Sequence, residues 1–315
     1  MTISELIATV RRVEVRTNRL VNDMMVGAYL SHFKGRGMDF EELREYIPGD
    51  EVRDIDWNVT YRMGRPFVKR YREERELAMV LAIDVSASSA FGSLRRTKRE
   101  FAAEVAGTLA VSAARNSDKV GLLLFSDQVE LYLPPRKGRR HILRLIREML
   151  FFKPKHTGTN IAGGLTFLNH VLHRRSIVFL LTDFLHSFGA SASVRRNDIR
   201  VGDQSSIGRD ALQEVGLTNA RHDLVCLHLH DPRESNLPSA GLLTVEDAET
   251  GELVELDSSR GAVRYKFAST NAERLAELDR ALRRAGVDTL RFSTAEDFAQ
   301  TLQRFFETRR GRRRG

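Results

Sequence analysis

Polar side chains that could bind a cation follow two apolar runs of this 315-residue chain. The first run ends in an aspartate, and two serines follow it at successive spacings of two residues. The second run also ends in an aspartate, and a Thr-Gly-Thr-Asn turn lies between the two runs. The candidate ligands are Asp84, Ser86, Ser88, Thr159 and Asp183.

All five candidates offer oxygen atoms, without a histidine or thiolate among them, which favours Mg²⁺ or Mn²⁺ over zinc or copper. The three hydroxyls could bind directly, and the two aspartates could bind directly or through coordinated water. An octahedral ion held mainly by neutral oxygens keeps open positions and would attract an incoming carboxylate. The pattern therefore predicts a binding site. An alternative stays open for Ser88 and Thr159, which could serve only as helix caps.

The elements around these residues predict a doubly wound, mostly parallel α/β sheet, because apolar strands alternate with amphipathic helices from residue 77 onward. In such a sheet, ligands bind beyond the carboxyl ends of the strands, where the chain order reverses. The predicted strands are 77–84, 119–126, 129–134, 176–183 and 223–230; the predicted helices are about 95–115, 138–150 and 161–173, and a strand and helix follow over 287–308.

The remaining segments predict smaller parts around a main domain over 77–308. Residues 1–28 have the apolar spacing of one amphipathic helix. We expect 29–76 to form a small accessory β layer together with 231–268. Residues 187–209 are rich in Ser, Gly and Arg, and we expect a mobile loop there. Residues 309–315 form a basic tail.

The three-part motif, with Asp-x-Ser-x-Ser after a strand, a Thr in a Gly-Thr-Asn loop and an Asp closing a later strand, resembles the metal-ion-dependent adhesion site of von Willebrand factor A domains. Further segments resemble the signature of the bacterial family known as domain of unknown function 58. These segments are 35–40, 44–50, 53–57, 222–223, 231–234 and 249–252. The resemblance covers about residues 30–308.

This resemblance implies a von Willebrand factor A-like fold and a partner. Such proteins are usually encoded beside MoxR-type AAA+ ATPases and are thought to act with them as chaperones or adaptors in the maturation of other proteins, so we expect that ATPase and an unknown client as partners. Two positions depart from the pattern. Ser89 stands where many such domains have Met, and Phe184 stands where many have Gly, so a bulky ring beside the ion would restrict what approaches.

Two other functions remain as alternatives to a non-catalytic adaptor. A haloacid-dehalogenase-like phosphohydrolase would use an aspartate at the end of the first strand as nucleophile and a second aspartate two residues later as acid, but Ser86 stands at that second position. The other alternative is a purely structural assembly protein. The flanks of Ser86 also lack the glycines of a serine hydrolase, and the chain has no phosphate-binding Gly-x-x-x-x-Gly-Lys loop.

Two further groups allow more than one interpretation. His228, His230 and Asp231 could be drawn as a metal trio, but we interpret them as ordinary residues at a strand end. The segment 44–57 could be a scaffold of ion pairs around Trp57, or a surface that the ATPase recognises.

Composition limits the remaining possibilities. The formal charge is +8, but five arginines lie in the last seven residues, and without them the excess is +3, which argues against nucleic-acid binding by the body of the protein. We expect a disordered, solubilising tail, although RNA, anionic lipid or an acidic partner could bind it. The single cysteine, Cys226, excludes an intrachain disulfide, and we expect it to be buried. No apolar run is long enough to span a membrane and no signal peptide is recognisable, so we expect a cytoplasmic protein. For the adaptor function we expect no small-molecule substrate.

Overall fold

The computed structural model describes residues 38–73, 78–93, 96–185, 192–195, 198–201, 207–246, 248 and 251–312. The chain divides into two compact units, one spanning residues 33–77 and the other containing residues 78–312. The predicted helix over 1–28 lies outside the described residues. Among the helices that are described, none combines the length and apolar character needed to cross a bilayer.

The smaller unit contains a two-stranded antiparallel sheet, a 3-10 turn (Val52–Asp54) and one short α-helix. Strand β1 (Met38–Glu45) pairs with strand β2 (Phe67–Glu73), and helix α1 (Trp57–Met63) lies between them in the chain. Asp56 caps α1 by accepting hydrogen bonds from two of its backbone N–H groups. The prediction of extended structure throughout this segment is therefore wrong for α1.

The ion pairs of the 44–57 segment do not enclose its tryptophan. Arg44 pairs with Asp50 at 2.6 Å, and Asp56 pairs with Lys69 at 2.9 Å. The Trp57 residue, however, is 65% exposed. The ion pairs therefore stabilise turns and helix ends, and the interpretation of a scaffold built around Trp57 is wrong.

The larger unit contains the strands β3 (Ala78–Asp84), β4 (Lys119–Phe125), β5 (Val129–Arg136), β6 (Ile177–Thr182), β7 (Ala192–Arg195), β8 (Asp198–Val201), β9 (Asp223–His230), β10 (Leu242–Glu246), β11 (Leu253–Asp257) and β12 (Asp288–Ser293). Six of them form one sheet in the order β12-β9-β6-β3-β4-β5, in which β5 alone is antiparallel to its neighbour. The chain enters this sheet at β3, continues to one side through β4 and β5, and then crosses to the other side. The predicted doubly wound sheet is confirmed, and its order reverses between β3 and β6.

Helices cover both faces of this sheet. They are α2 (Lys98–Arg115), α3 (Arg139–Phe151), α4 (Ile161–Val171), α5 (Ile207–Arg221), α6 (Pro232–Ser235), α7 (Gly261–Arg284) and α8 (Phe298–Arg312). On one face, apolar residues of α4, α5 and α7 pack with residues of the central strands in a single buried cluster. On the other face, Phe101 of α2 packs edge-on against Phe292 of β12 and Phe298 of α8.

Several predicted segments differ from the structure. The 187–209 segment contains the antiparallel pair β7–β8 and the start of α5, so the prediction of a loop throughout is wrong. The accessory layer is not one sheet: β1–β2 and β10–β11 are separate two-stranded sheets, and from Gly261 onward the segment assigned to this layer is helical. Arg309, assigned to the tail, lies in α8 and pairs with Asp223 and Asp288. Cys226 is buried, as predicted.

Candidate metal centre

The two aspartates predicted as ligands lie at the carboxyl ends of neighbouring parallel strands. Ile83 of β3 pairs with Leu181 of β6, so Asp84 and Asp183 leave the sheet side by side at the point where the strand order reverses. Both residues are buried, at 5% and 6% exposure. Thr182 bridges the strand ends, because its hydroxyl donates to Asp84 Oδ2 at 2.7 Å.

The two serines are held in a tight turn directly after β3. The Ser86 backbone N–H donates to Asp84 Oδ1 at 2.9 Å, and the hydroxyl oxygens of Ser86 and Ser88 are 3.1 Å apart. The Ser88 hydroxyl also hydrogen-bonds to the Asp183 carboxylate. Four of the five predicted ligands are therefore brought together: Asp84, Ser86, Ser88 and Asp183.

The loop that carries the fifth predicted ligand is attached to this serine turn. The Ala87 backbone N–H donates to the Thr157 carbonyl at 2.9 Å, and the Asn160 N–H donates to the Ser126 carbonyl at 2.8 Å. Thr159 lies between these two anchors and is half-buried. The structure thus places its loop beside Ser86 and Ser88, while direct ligation by Thr159 stays a prediction.

The side chains that cap helices in this region belong to residues other than the predicted ligands. Thr97 caps α2 in a reciprocal capping box with Glu100, and Asn160 caps α4 through Gly163 N–H. The hydroxyl of Ser86, at the start of the 3-10 turn after β3, makes no capping hydrogen bond. Capping therefore does not explain the clustered serines.

A buried lysine that the sequence analysis missed lies in this cluster. Lys98, in the first turn of α2, is 2% exposed, and its ammonium donates to Asp183 Oδ2 at 2.5 Å and to Glu234 Oε1. A cavity of about 10 Å³ adjoins Lys98, Asp84 and Asp183, which is room for one water-sized or ion-sized species. The cluster of candidate oxygen ligands therefore already contains one positive charge, the Lys98 ammonium.

The pKa values of the two neighbouring aspartates shift in opposite directions because only Asp183 contacts Lys98. Burial, followed by the charge of Asp183, raises the pKa of Asp84 to about 7. Burial would also raise the pKa of Asp183, but the Lys98 ammonium and hydrogen bonds from Ser88 and Leu185 N–H hold it below the ordinary value. Asp183 is therefore ionised near neutrality, and Asp84 is close to its titration midpoint.

The donor set fits a hard divalent cation. Two carboxylates and two hydroxyls converge at one end of the sheet, and oxygen ligands of these kinds suit Mg²⁺ or Mn²⁺. The presence of Lys98 sets one condition on this fit, since its ammonium occupies one oxygen of Asp183.

Comparison with known proteins identifies the family. A family model described as "Protein of unknown function DUF58" matches residues 42–277, about three quarters of the chain. The chain belongs to the DUF58 family. Uncharacterised proteins of Mycobacterium tuberculosis and Mycobacterium bovis are each 28% identical to it over 308 residues, which cover 97% of this chain and 90% of each relative.

Solved structures similar to this DUF58 protein include von Willebrand factor A domains. One such domain is the vWF domain of the type V pili tip protein Mfa5 of Porphyromonas gingivalis, with 10% identity, a TM-score of 0.41, and coverage of 74% of this chain and 94% of that one. The conserved hypothetical protein BatB of Bacteroides thetaiotaomicron is also similar in structure, with 13% identity, a TM-score of 0.42, and coverage of 74% of this chain and 98% of that one. Similarity at this level carries no information about activity.

The Asp-Pro-Arg-Glu segment of this DUF58 chain, residues 231–234, holds helix α6 beside the site. Asp231 caps the short helix α6, and its carboxylate also accepts hydrogen bonds from Ser93 N–H at 3.0 Å, from the Ser93 hydroxyl, and from the Thr294 hydroxyl at 2.9 Å. Burial opposes its ionisation, but these bonds hold the pKa of Asp231 below the ordinary value. Asp231 thereby fixes α6, which presents Glu234 to Lys98.

Phe184 is directed away from the cluster of oxygen donors. Its backbone has a φ of +53°, its side chain is 1% exposed, and the ring packs in the buried core cluster and edge-on against His228 at 5.9 Å between centroids. The expectation that Phe184 restricts what approaches the ion is therefore wrong. Its left-handed backbone instead turns the ring beneath the end of β6.

Burial lowers the pKa of both histidines at the end of β9, so both are neutral near pH 7. Burial, followed by the charge of His230, lowers the pKa of His228 to about 3. The Nδ1 atoms of His228 and His230 have no hydrogen-bond partner among the described residues. Asp231, which follows them, is engaged by Ser93 and Thr294 rather than turned toward the imidazoles.

Proposed function

We propose that this protein is a non-catalytic, Mg²⁺-dependent protein-binding adaptor that acts in the cytoplasm. The observation that carries the proposal is the convergence of Asp84, Ser86, Ser88 and Asp183, all buried, at the carboxyl ends of β3 and β6. Hydroxyl and carboxylate oxygens at this end of a doubly wound sheet form a site for a hard cation.

The residues of the chain would hold and orient the ion in complementary ways. Ser86 and Ser88 present neutral oxygens, and Asp84 and Asp183 contribute carboxylates whose positions are fixed by Thr182 and by backbone N–H groups. Thr159 would add a further hydroxyl from the adjoining loop. A bound Mg²⁺ would supply open coordination positions for an aspartate or glutamate of a partner.

We further propose that the partner is a MoxR-type AAA+ ATPase and that the pair acts on an unknown client. The support for this part is the resemblance of the chain to the DUF58 signature and its membership of that family. Exposed aromatic side chains in the signature segment are a further support for a protein partner. Trp57 is 65% exposed and Tyr61 is 90% exposed in the signature segment, and aromatic residues are frequent in the centres of protein interfaces.

Calorimetric titration with Mg²⁺ and Mn²⁺ tests the metal part of the proposal. The wild-type protein should bind one ion, and Asp84→Ala and Ser86→Ala should each lose measurable binding. Ser112→Ala is the matched control, because this buried serine lies near the opposite end of α2. Its affinity should equal that of the wild type, and equal affinity in all four proteins would exclude the site.

Adding a MoxR-type ATPase tests the partner part separately. We expect association that requires Mg²⁺, is lost in EDTA, and is lost in Asp84→Ala. Association that persists unchanged in EDTA would contradict metal-dependent binding and favour a structural assembly role. Turnover of an aryl phosphate that disappears in Asp84→Ala would instead indicate a phosphohydrolase.

A further inference from the structure

The metal centre contains a cation of the chain's own that is almost completely removed from solvent. Lys98 is 2% exposed, and its ammonium contacts Asp183 and Glu234, whose side chains are 5% and 14% exposed. A buried charge of this kind is costly unless it is paired and hydrogen-bonded. Lys98 satisfies both conditions through two carboxylates that come from different elements, the end of β6 and helix α6.

The ammonium takes one of the two oxygens that Asp183 could offer to a metal. Lys98 Nζ lies 2.5 Å from Asp183 Oδ2, while Asp183 Oδ1 accepts a hydrogen bond from Leu185 N–H at 3.0 Å. An ion that binds Asp183 Oδ2 must therefore displace the ammonium or share that oxygen with it, and an ion that binds Oδ1 lies on the same carboxylate as the ammonium. Two cations on one carboxylate repel each other, and burial strengthens that repulsion.

Glu234 gives the ammonium a second partner in the same structure. It lies on α6, which is fixed by the Asp231 anchor, and it contacts Lys98 without being one of the candidate ligands. The Nε atom of Arg274 on α7 is buried, and the charges of Asp183 and Glu234 favour its ionised form, so two basic groups face the two carboxylates. When the contact with Asp183 breaks, Lys98 retains its partner on α6.

We infer that Lys98 is a resident cation that competes with the divalent ion for Asp183, so that ion binding breaks the contact of its ammonium with Asp183 and leaves it paired with Glu234. This inference rests on the proposed metal-binding function and adds a regulation to it. Lys98 thereby lowers the affinity of the site for Mg²⁺. A merely structural role for Lys98 predicts the opposite sign, since loss of a structural contact would weaken metal binding.

The test is calorimetric titration of Lys98→Met with Mg²⁺ at pH 8, beside the wild type. We expect Lys98→Met to bind at least tenfold more tightly, and Lys98→Arg, which keeps the charge, to stay within threefold of the wild type. Arg115→Met is the control, because it removes a positive charge from the exposed last turn of the same helix, at the end opposite Lys98. Its affinity should also change by less than threefold.

A second variant covers the case in which Lys98→Met does not fold. In Lys98→Met/Glu234→Gln, the lysine and one of its two carboxylate partners are neutralised together, so the buried charge is closer to balance. This double variant should bind Mg²⁺ more tightly than Glu234→Gln alone.

The outcomes separate this inference from the function on which it rests. Binding by the wild type that is unchanged or weaker in Lys98→Met would overturn the competition and leave the metal site standing. Binding by Lys98→Met alone would support the competition and contradict metal dependence of the native protein. No binding by any variant would overturn both.

Discussion

The stability of the metal-free protein should depend on pH through Asp84. The pKa of this carboxyl group is raised from 3.8 to about 7, first by burial and second by the charge of Asp183. A group whose pKa is higher in the folded than in the unfolded state contributes stability that is complete below the unfolded value and is lost as pH rises through the folded value. Asp84 therefore stabilises the fold at acidic pH and ceases to do so near pH 7.

The replacement Asp84→Asn removes this titration while preserving the shape of the side chain. The amide carbonyl can accept the hydrogen bond from Ser86 N–H, and the Thr182 hydroxyl can rotate to accept from the amide. From pH 5 to pH 8 the wild type should lose roughly 3 kcal/mol relative to this variant, since one titrating group changes stability by at most about 1.4 kcal/mol per pH unit. The free energy of unfolding of Asp84→Asn should therefore increase relative to that of the wild type as pH rises.

Urea denaturation in EDTA at pH 5, 6, 7 and 8 measures this difference. Asp231→Asn is the contrasting control, because the pKa of Asp231 is lowered and both its folded and unfolded values lie below this range. Its stability relative to the wild type should be constant from pH 5 to 8. A difference for Asp84→Asn that is equally constant would show that Asp84 is ionised throughout, and would refute the burial argument.

Further predictions concern metal binding and three contacts around it. Because protonation of Asp84 competes with the ion, the apparent Mg²⁺ affinity should fall nearly tenfold between pH 6.5 and pH 5.5 in calorimetry, and a flat profile would contradict this. Thr182→Val leaves a carboxylate oxygen without its hydroxyl donor and should lower the free energy of unfolding by about 2 kcal/mol in urea, whereas no change would mean that water replaces the hydroxyl. Asp231→Ala removes the α6 cap and the bonds from Ser93, and should cost about 3 kcal/mol in the same assay, with a loss below 1 kcal/mol arguing against an anchor. Phe184→Gly relieves the positive φ but removes a buried ring, so unfolding should be easier by about 3 kcal/mol, and a gain in stability would contradict its packing role.

The positions of the two aspartates could be predicted because hydrophobic pattern determines where buried strands end. Asp84 and Asp183 each follow an apolar run of strand length, and the alternation with helices indicates a parallel sheet whose strand ends meet at one edge. Which strand ends are neighbours could not be deduced with the same certainty. That depends on the strand order, and the reversal between β3 and β6 is a property of the fold.

Lys98 escaped prediction because it lies in a basic run that has the composition of a solvated surface. The sequence around it is Arg-Arg-Thr-Lys-Arg-Glu, in which most charged side chains would be expected to face water. A usable signal follows the run: residues 101–113 are apolar or small on nearly every face of the helix, and almost all of them are buried. A helix that is apolar on every face is usually buried. A lysine in its first turn is then expected to be buried as well and to pair with carboxylates.

Helix α7 was not predicted because, unlike α2, it is mostly polar. It spans 24 residues, but only Leu278 and Leu282 are buried, so polar residues dominate its sequence. Its first residues, Gly-Ala-Val-Arg-Tyr-Lys-Phe, alternate in a way that is typical of a strand. In this segment, tertiary packing of a narrow apolar stripe decides the structure, and local propensity does not.

The electrostatics of the site follow from a single constraint on its two aspartates. Two carboxylates buried side by side cannot both be ionised without compensating positive charge. In the metal-free protein Lys98 compensates Asp183, and near neutrality a proton partly compensates Asp84, which is why the two pKa values move in opposite directions. A divalent cation carries the charge of both substitutes. Its binding would therefore release the proton from Asp84 and the ammonium from Asp183 together, so that pH and the position of Lys98 are coupled to metal occupancy through the same pair of carboxylates.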